Sequence, residues 1–503
     1  MISSELERLW EVVESHHRTH RLIIIIVSVT MLTVAPVGYH IIVLNVPSKT
    51  IQTAIALELN ERYAIELKGA AMDMAWSFIV SCQSIGALVS CFMIVPLEKR
   101  YGAKHSLMFV NNLFLLAGSA AFLISHQINT LGMLILGRLL IGVYTGIGCA
   151  LVPIYIQELA PAKLKGALCC FVHIAICFGS AIGAILSLQN ILGGTYLWTY
   201  LLTLPIVLGI AQMVMGRYVH EPPSHFLVNS PPNYQELAAR SVRFYYTLDH
   251  LNDDEALTEY SRMVAKLPPQ MSLKEALAEP KVRRGVWLGM MVSTAQIFSG
   301  SMAAVSYSTS MLDSVSFTAS LTPYMPAIGA FLSVILTLPA LRFVETCGRR
   351  SLLLNTLAVC LVANILLTVF SLLSQWLGQG GWASLAFCLS FFMYGVGYNV
   401  GVGPVAYFIP GELVNPEAAS VAMGCAVAVN WLCTMLTTLF YYPINELVGG
   451  FSFLMFALPT AYFLVYLNKH LPRLEPRLRD YLSEPEDDNL SEPHTSHYQT
   501  FPA

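Results

Sequence analysis

Twelve apolar runs dominate the chain, and each is long enough to cross a bilayer as a helix, which takes about 20 residues. A polar and charged segment, residues 219–283, separates the first six runs from the last six. Because lipid offers no partner to backbone N–H and C=O groups, a run that crosses it is expected to be helical. The runs lie at 22–44, 74–97, 106–125, 131–156, 167–189, 196–218, 285–312, 321–344, 351–373, 381–411, 418–442 and 447–467.

The charge content excludes a soluble protein of this length. Charged residues make up 12% of the 503 residues and hydrophobic residues 55%, and the charged share is about half that of a soluble domain. The formal net charge of −3 provides no basic field that could hold nucleic acid. The chain is therefore predicted to be an all-α membrane protein whose main partners are the lipid bilayer and a small solute.

The basic residues predict the orientation, since Lys and Arg collect on the cytoplasmic side of a membrane. With the N-terminus in the cytoplasm, the outer loops hold only Lys49, Arg62 and Lys68. The predicted order is a cytoplasmic segment, a six-helix bundle, a cytoplasmic linker with short surface helices, a second six-helix bundle and a disordered cytoplasmic tail. These parts cover residues 1–21, 22–218, 219–283, 284–467 and 468–503.

No pattern of a catalytic or metal site is visible. Ten of the eleven cysteines lie inside apolar runs, and none shows CxxC spacing. Walker A, HExxH and Gly-x-Ser-x-Gly patterns are absent from the sequence. The sequence therefore predicts a protein that is not an enzyme and that has no cofactor and no metal site.

Two cytoplasmic turns repeat at matching places in the two groups of runs. Gly102 follows the second run and Gly348 the eighth, each beside cations and an acid, while Glu158 and Glu412 end the fourth and tenth runs. A duplicated bundle explains the match. We expect ion pairs between these turns and the two glutamates to close a cytoplasmic gate. The candidate gating residues are Arg100, Lys104, Glu158, Glu345, Arg349, Arg350 and Glu412.

Several motifs, in order along residues 22 to about 470, resemble those of facilitative, GLUT-type sugar transporters of the major facilitator superfamily. They are Gly38-Tyr39 with Asn45-Val46-Pro47, Gly137 to Gly146 with Val152 to Pro161, Ala295 to Gly300 with Tyr307 to Ser310, and Gly403-Pro404 with Glu412-Leu413 and Asn430-Trp431. The resemblance implies the major facilitator fold, with twelve transmembrane helices in two six-helix repeats. It also implies a plasma-membrane monomer that carries a hexose by facilitated diffusion.

The resemblance places a solute site near the middle of the bilayer. Amide side chains suit a sugar because each carries both donors and acceptors for hydroxyl groups. Matched position by position, the site would consist of Gln296, Asn399, Asn430, Trp431, Tyr407, His173, Ser333 and Thr434.

Many of these positions depart from the family pattern. Ala295 and Met302 stand where the seventh helix of the family has Gln and Asn, and His173 stands where the fifth has Gln. The family's Pro-Glu-Ser-Pro-Arg after the sixth helix reads Glu221 to His225 here, so its Glu and Arg are missing from their places. Another solute, such as a polyol or an organic anion, therefore stays open as an alternative.

The placement of the acids favours passive transport, because no Asp or Glu lies in the middle of any run. His40 and His173 titrate near neutral pH in their ordinary state, so a proton-coupled carrier remains an alternative. A sensor that resembles a transporter is a further alternative, but the tail of about 35 residues is short for signalling.

Overall fold

The computed structural model describes most of the chain. The described residues are 19–66, 68–128, 130–160, 165–223, 225–226, 234–245, 255, 258, 271–313, 324–377, 381–415 and 418–472. All regular structure in these ranges is helical. The N-terminal segment up to residue 18, the tail from 473 and, apart from residues 255 and 258, linker residues 246–270 lie outside them.

The first half begins with a helix that contains Pro36 and ends with a helix interrupted after Thr203. Its helices are α1 (Thr19–Ile42), α2 (Ser48–Tyr63), α3 (Ala70–Ser90), α4 (Ile94–Tyr101), α5 (Ala103–His105) with a π-helical turn at Ser106–Val110, α6 (Asn111–Ile128), α7 (Leu131–Leu159), α8 (Lys165–Leu186), α9 (Trp198–Thr203) and α10 (Ile206–Met215).

The linker and the second half are also helical, and their helices are interrupted more often. Their helices are α11 (Tyr234–Tyr245), α12 (Leu273–Ala278), α13 (Pro280–Phe298), α14 (Ser301–Asp313), α15 (Met325–Thr337), α16 (Ala340–Thr346), α17 (Arg349–Leu377), α18 (Trp382–Gly397) with a π-helical turn at Tyr398–Val402, α19 (Gly403–Ala406), α20 (Ile409–Glu412), α21 (Ala419–Val448) and, after a 3₁₀ turn at Gly449–Phe453, α22 (Leu454–His470).

Eleven continuous helical segments in the described residues are long and apolar enough to cross a membrane. The last, Ala419–His470, contains both α21 and α22. The rings of Tyr441 and Phe456 lie 5.3 Å apart on either side of the break at Gly449, so the chain folds back there. The twelve predicted runs thus correspond to these eleven segments.

Glycines bring the helices of the first half into backbone contact. α1 packs along α8, where a side chain on Gly38 would collide with the Ile176 carbonyl and one on Gly179 with the Ala35 carbonyl. Gly86 and Gly142 play the same part between α3 and α7. Helix packing in lipid depends on such close approach, because no hydrophobic effect drives helices together there.

The two halves contact each other through helix packing and polar side chains. Ser81 on α3 and Thr438 on α21 share a hydrogen bond of 2.9 Å, and the Asn45 amide after α1 donates to Ser308 of α14 at 2.6 Å. Across the same boundary, α3 packs against α21 and α8 packs against α15.

The linker helix α11 packs against the end of the first half at which α1 begins and α7 ends. The Tyr245 hydroxyl donates to the His220 carbonyl at 2.6 Å and lies 3.3 Å from the Tyr155 hydroxyl. The Arg21 guanidinium stacks 4.0 Å from the Phe244 ring centre. The linker is therefore bonded to the ends of α1, α7 and α10.

The glycine contact between α1 and α8 predicts a specific sensitivity. We expect Gly179→Val to lower the yield of folded protein and to destabilise it by about 1–3 kcal/mol, since the helices have to separate. Gly329→Val is the matched control, because nothing lies within 4 Å of a side chain added there. Thermal unfolding of the purified proteins in detergent measures the difference, and equal midpoints would contradict the packing.

Candidate binding site

A break in the seventh membrane-spanning segment lies beside Gln296. α13 ends at Phe298, α14 begins at Ser301, and Gly300 between them has a φ of +104°, which favours glycine. The Asn364 amide of α17 donates to the freed Ser299 carbonyl at 2.8 Å. Irregular backbone at membrane depth is tolerated where neighbouring side chains pair its polar groups, so the break is stable two residues after Gln296.

The tenth segment carries a similar irregularity at Asn399. The π-helical turn Tyr398–Val402 closes its hydrogen bonds over one residue more than an α-helix does, and such turns are frequent at functional sites. Gly403 follows, and the His173 ring lies so close that a side chain there would be 2.6 Å away. The turn therefore brings Asn399 and the tenth segment against α8 of the other half.

Gln296 and Asn430 form an amide pair between α13 and α21. The Asn430 amide donates to Gln296 Oε1 at 2.8 Å. Gln296 Nε2 donates to the Tyr398 hydroxyl at 3.3 Å and to the Gly403 carbonyl at 3.4 Å. The last two bonds are long compared with the usual 2.9–3.0 Å, so this buried donor is available to a better acceptor.

A small cavity lies beside this amide pair, with a volume of about 20 Å³. That is room for about one water molecule, so a larger solute requires the halves to separate. Of the sequence-predicted site residues, Gln296, Asn430, Trp431 and Tyr407 line it. The other lining residues were not predicted; they are Cys149, Ser293, Ala406, Pro410, Met423, Ala426 and Val427.

A second polar group joins the halves close to the cavity. His173 Nε2 on α8 lies 3.2 Å from Asn399 Oδ1, and Asn399 Nδ2 donates to Ser333 Oγ at 3.0 Å. The His173 ring is 5.6 Å from that of Tyr398 and 6.0 Å from that of Tyr407, which lines the cavity. The structure thus brings three more of the predicted site residues together, His173, Asn399 and Ser333.

Thr434 and Met302 do not reach the cavity lining. The Thr434 hydroxyl donates to the Asn430 backbone carbonyl at 2.9 Å, one turn earlier in α21. Met302 packs against Ile297 and Cys433. Tyr398, which the sequence reasoning missed, contacts Gln296 directly, and its position next to Asn399 in a Gly-rich segment was the available signal.

A buried cation faces His40 in the first half. Arg138 on α7 is 1% exposed and donates to the His40 carbonyl at 2.9 Å and to the Val80 carbonyl at 3.2 Å. Neither ring nitrogen of the fully buried His40 has a hydrogen-bond partner among the described residues. A proton on His40 would place a second positive charge beside the guanidinium, which is unfavourable.

In the second half, Arg349 Nε at the start of α17 lies 3.5 Å from Glu412 Oε2 at the end of α20. Arg350 instead donates to the Asn468 carbonyl at 2.7 Å, at the end of α22. The side chain of Glu345 lies outside the described part of the chain.

In the first half, the described contacts of the candidate gating residues Arg100 and Lys104 lie next to their own turn. The Arg100 guanidinium stacks 5.3 Å from the Tyr101 ring centre, and the Lys104 backbone N–H donates to Glu221. Pairing of Arg100 or Lys104 with Glu158 stays a prediction.

Glu221 lies in the stretch where the family's Glu and Arg are missing from their places. Its carboxylate accepts from the backbone N–H of Lys104 at 2.7 Å and of His105 at 3.1 Å, at the start of the third membrane-spanning segment. A side chain on Gly102, which has a φ of +82°, would collide with that carboxylate. An acid at a helix start is favourable, and here it comes from a residue one place before the family's Glu.

Burial nevertheless raises the pKa of Glu221 to about 7, and the hydrogen bonds from Lys104 and His105 lower it only in part. The carboxyl group therefore binds a proton more readily in the folded protein than in the unfolded chain.

The profile described as "Sugar (and other) transporter" matches residues 25–476. The chain belongs to this family. It is 28% identical over 453 residues to the mouse "Solute carrier family 2, facilitated glucose transporter member 4", covering 89% of this chain and 87% of the relative. It is also 28% identical over 451 residues to member 1 from chicken, covering 89% of each. Members of the family are carriers and not enzymes.

Solved structures of the family show the same fold. The proton:xylose symporter XylE bound to 6-bromo-6-deoxy-D-glucose matches with a TM-score of 0.71 and 19% identity, covering 91% of this chain and 98% of XylE. The inward-open xylose transporter XylE from E. coli matches with 0.69 and 18% identity, covering 92% and 100%. The predicted major facilitator fold is confirmed.

The raised pKa of Glu221 predicts how the stability of the folded protein changes with pH. A carboxyl group whose pKa is higher in the folded protein stabilises it fully below the unfolded value, and that stability is lost as the pH rises through about 7. We expect the unfolding temperature in detergent to fall between about pH 5 and pH 7.5, and to fall less in Glu221→Gln.

Part of the slope that remains in Glu221→Gln is expected from Glu98, because burial also raises the pKa of that carboxyl group. Glu236→Gln is the matched control, since this exposed carboxylate pairs with Arg240 on the surface of α11. An unchanged slope in Glu221→Gln would show that the carboxyl group is not in the described environment.

Proposed function

We propose that this protein carries a hexose or a similar neutral polyhydroxy solute across a membrane by alternating access, down its gradient and without an ion. The observation that carries the proposal is the amide pair Gln296–Asn430 beside the cavity, with Trp431 and Tyr407 in the lining. The curated relatives at 28% identity are facilitated glucose transporters.

The chemistry of the lining fits a sugar. Each hydroxyl group that leaves water needs a partner inside the protein. Gln296 and Asn430 offer donors and acceptors on one side of the cavity, and the faces of Trp431 and Tyr407 offer apolar area for the C–H side of a pyranose ring. Because Met302 and Ala295 replace two amides of the family pattern, we expect weaker contacts and a broader choice of solutes.

Transport without an ion is supported by the placement of the acids. In the described membrane-spanning segments, Asp73, Glu158 and Glu446 are the acids, and all lie near helix ends. A carboxylate that could take up a proton at membrane depth is therefore missing from these segments. Of the two histidine candidates, His40 lies beside the Arg138 guanidinium, which opposes its protonation, and His173 is bonded to the neutral amide of Asn399 and not to an acid.

The proposal includes the orientation of the chain, its membrane and its oligomeric state. The distribution of Lys and Arg supports cytoplasmic N- and C-termini, with the linker on the cytoplasmic side. The plasma membrane and a monomeric state are inferred from the resemblance to glucose carriers.

Uptake of labelled hexoses, polyols and organic anions into cells without endogenous carriers tests the solute. We expect hexose uptake to reach equilibrium with or without a proton gradient. Gln296→Ala should weaken binding by about tenfold to a hundredfold, or roughly 1–3 kcal/mol, since solute hydroxyls lose their partner. Thr294→Ala is the control, since that hydroxyl donates to the Met290 backbone carbonyl at 2.8 Å and is not part of the lining.

The outcomes of this uptake experiment separate the alternatives. Uptake of a polyol or an organic anion without any hexose would overturn the sugar assignment. Accumulation above equilibrium in a proton gradient would overturn passive transport. Full affinity in Gln296→Ala would remove this residue from the site.

The cytoplasmic ion pairs are proposed to stabilise the closed cytoplasmic gate. Arg349–Glu412 is partly exposed, so its contribution is about 1 kcal/mol or less. We expect Glu412→Gln to shift the protein toward the inward-open form by up to about fivefold, whereas Glu446→Gln, at the other end of α21, should not.

The gate is measured in inside-out vesicles by how fast an impermeant thiol reagent modifies a cysteine introduced at Ser293 in the cavity lining. The protein with the native serine provides the background rate. Equal rates in the two glutamate variants would argue against a gating role for the pair.

A further inference from the structure

Three side-chain atoms that ligate metals converge between the two halves. His173 and Cys177 are one helical turn apart on α8, and Cys177 Sγ lies 3.6 Å from His173 Nε2. Asn399 Oδ1, from the tenth segment, is 3.2 Å from that nitrogen and 3.5 Å from the sulfur. Cys177 Sγ is also 3.8 Å from Thr337 Oγ1 on α15.

These separations match one face of a tetrahedral coordination site. Zinc–sulfur and zinc–nitrogen distances of about 2.3 and 2.0 Å at tetrahedral angles place the two ligand atoms roughly 3.5 Å apart. Ligands at positions i and i+4 of a helix lie on one face and can hold one ion together, as in zinc-binding HExxH helices. A thiophilic ion therefore fits among His173, Cys177 and Asn399 without rearrangement of the helices.

The orientation of the Asn399 amide supports the same arrangement. Asn399 Nδ2 donates to the Gly395 carbonyl at 2.8 Å and to Ser333 Oγ at 3.0 Å, so its oxygen faces His173 and Cys177. His173 is 3% exposed, and its Nδ1 has no hydrogen-bond partner among the described residues. Moving the ring proton from Nε2 to Nδ1 therefore breaks only the bond to Asn399.

We propose that His173, Cys177 and Asn399 form a binding site for a thiophilic divalent cation such as Zn²⁺, which joins the two halves of the carrier and stops transport. On binding, the Cys177 thiol loses its proton to water, bonds form from Sγ and Nε2 to the ion, and the imidazole keeps its proton on Nδ1. Asn399 Oδ1 adds a neutral third ligand, and Thr337 or water completes the set. One proton is released for each ion bound.

The site explains why an ion would inhibit. The first two ligands belong to α8 in the first half, whereas Asn399 belongs to the second half, and these helices must separate in every transport cycle. The ion enters when the halves are apart and then holds them together. The inhibition of transport rests on the proposed function, whereas the binding of the ion does not.

Binding is tested on the full-length purified protein with Cd²⁺, whose bond to a thiolate has an ultraviolet absorption band, and with labelled Zn²⁺. We expect one ion per chain, and binding weakened at least about tenfold in Cys177→Ser and in His173→Gln. Cys347→Ser is the matched control, since Cys347 is exposed and far along the chain from this cluster.

Asn399→Asp separates loss of the site from loss of the fold, because it adds an anionic ligand at the bridging position. We expect it to tighten Zn²⁺ binding by about tenfold and to make transport more sensitive to Zn²⁺. Unchanged affinity in Cys177→Ser would overturn the site, and unchanged affinity in Asn399→Asp would overturn the bridge between the halves. If the ion still binds to a protein that transports no hexose, the proposed solute is wrong, whereas the ion site stands.

Discussion

Pairing of polar groups inside lipid governs this structure. A backbone that crosses a bilayer must satisfy its own N–H and C=O groups, so all described regular structure is helical. Where the seventh segment is interrupted, the Asn364 amide pairs the freed Ser299 carbonyl, and this bond permits the bend beside Gln296. Two of the candidate site residues, Gln296 and Asn399, lie beside or within such irregular stretches, whereas Asn430 and His173 reach them from regular helices.

The same rule shapes the boundary between the halves. Within the first half, helices touch backbone to backbone at Gly38, Gly179, Gly86 and Gly142. Between the halves, the described polar contacts include hydrogen bonds of neutral side chains, such as Ser81 with Thr438 and His173 with Asn399, and a bond from the Asn45 amide to the Val305 backbone carbonyl. Each bond of this kind contributes on the order of 1 kcal/mol. Rigid halves joined by weak, separable bonds are what a carrier that opens alternately to each side requires.

The membrane-spanning helices could be predicted from the sequence, because the length of an apolar run depends on the bilayer alone. The pairing Gln296–Asn430 and the group around His173 depend on which helices face one another, which the family resemblance provided. Cys177 and Tyr398 were missed because their roles come from neighbours far along the chain. Thr434 was assigned to the site by its position, but its hydroxyl bonds its own helix at Asn430. Composition and periodicity cannot distinguish these cases.

The carboxylate of Glu221 has a consequence for recognising relatives. It bonds the start of the third membrane-spanning segment and lies one residue before the place of the family's Glu. A comparison by fixed columns records only that the family's Glu and Arg are absent, whereas the structure shows that a carboxylate close by accepts two backbone N–H groups. The role of an acid in a divergent carrier is therefore better judged from the backbone amides that bond its carboxylate than from the letter at one aligned position.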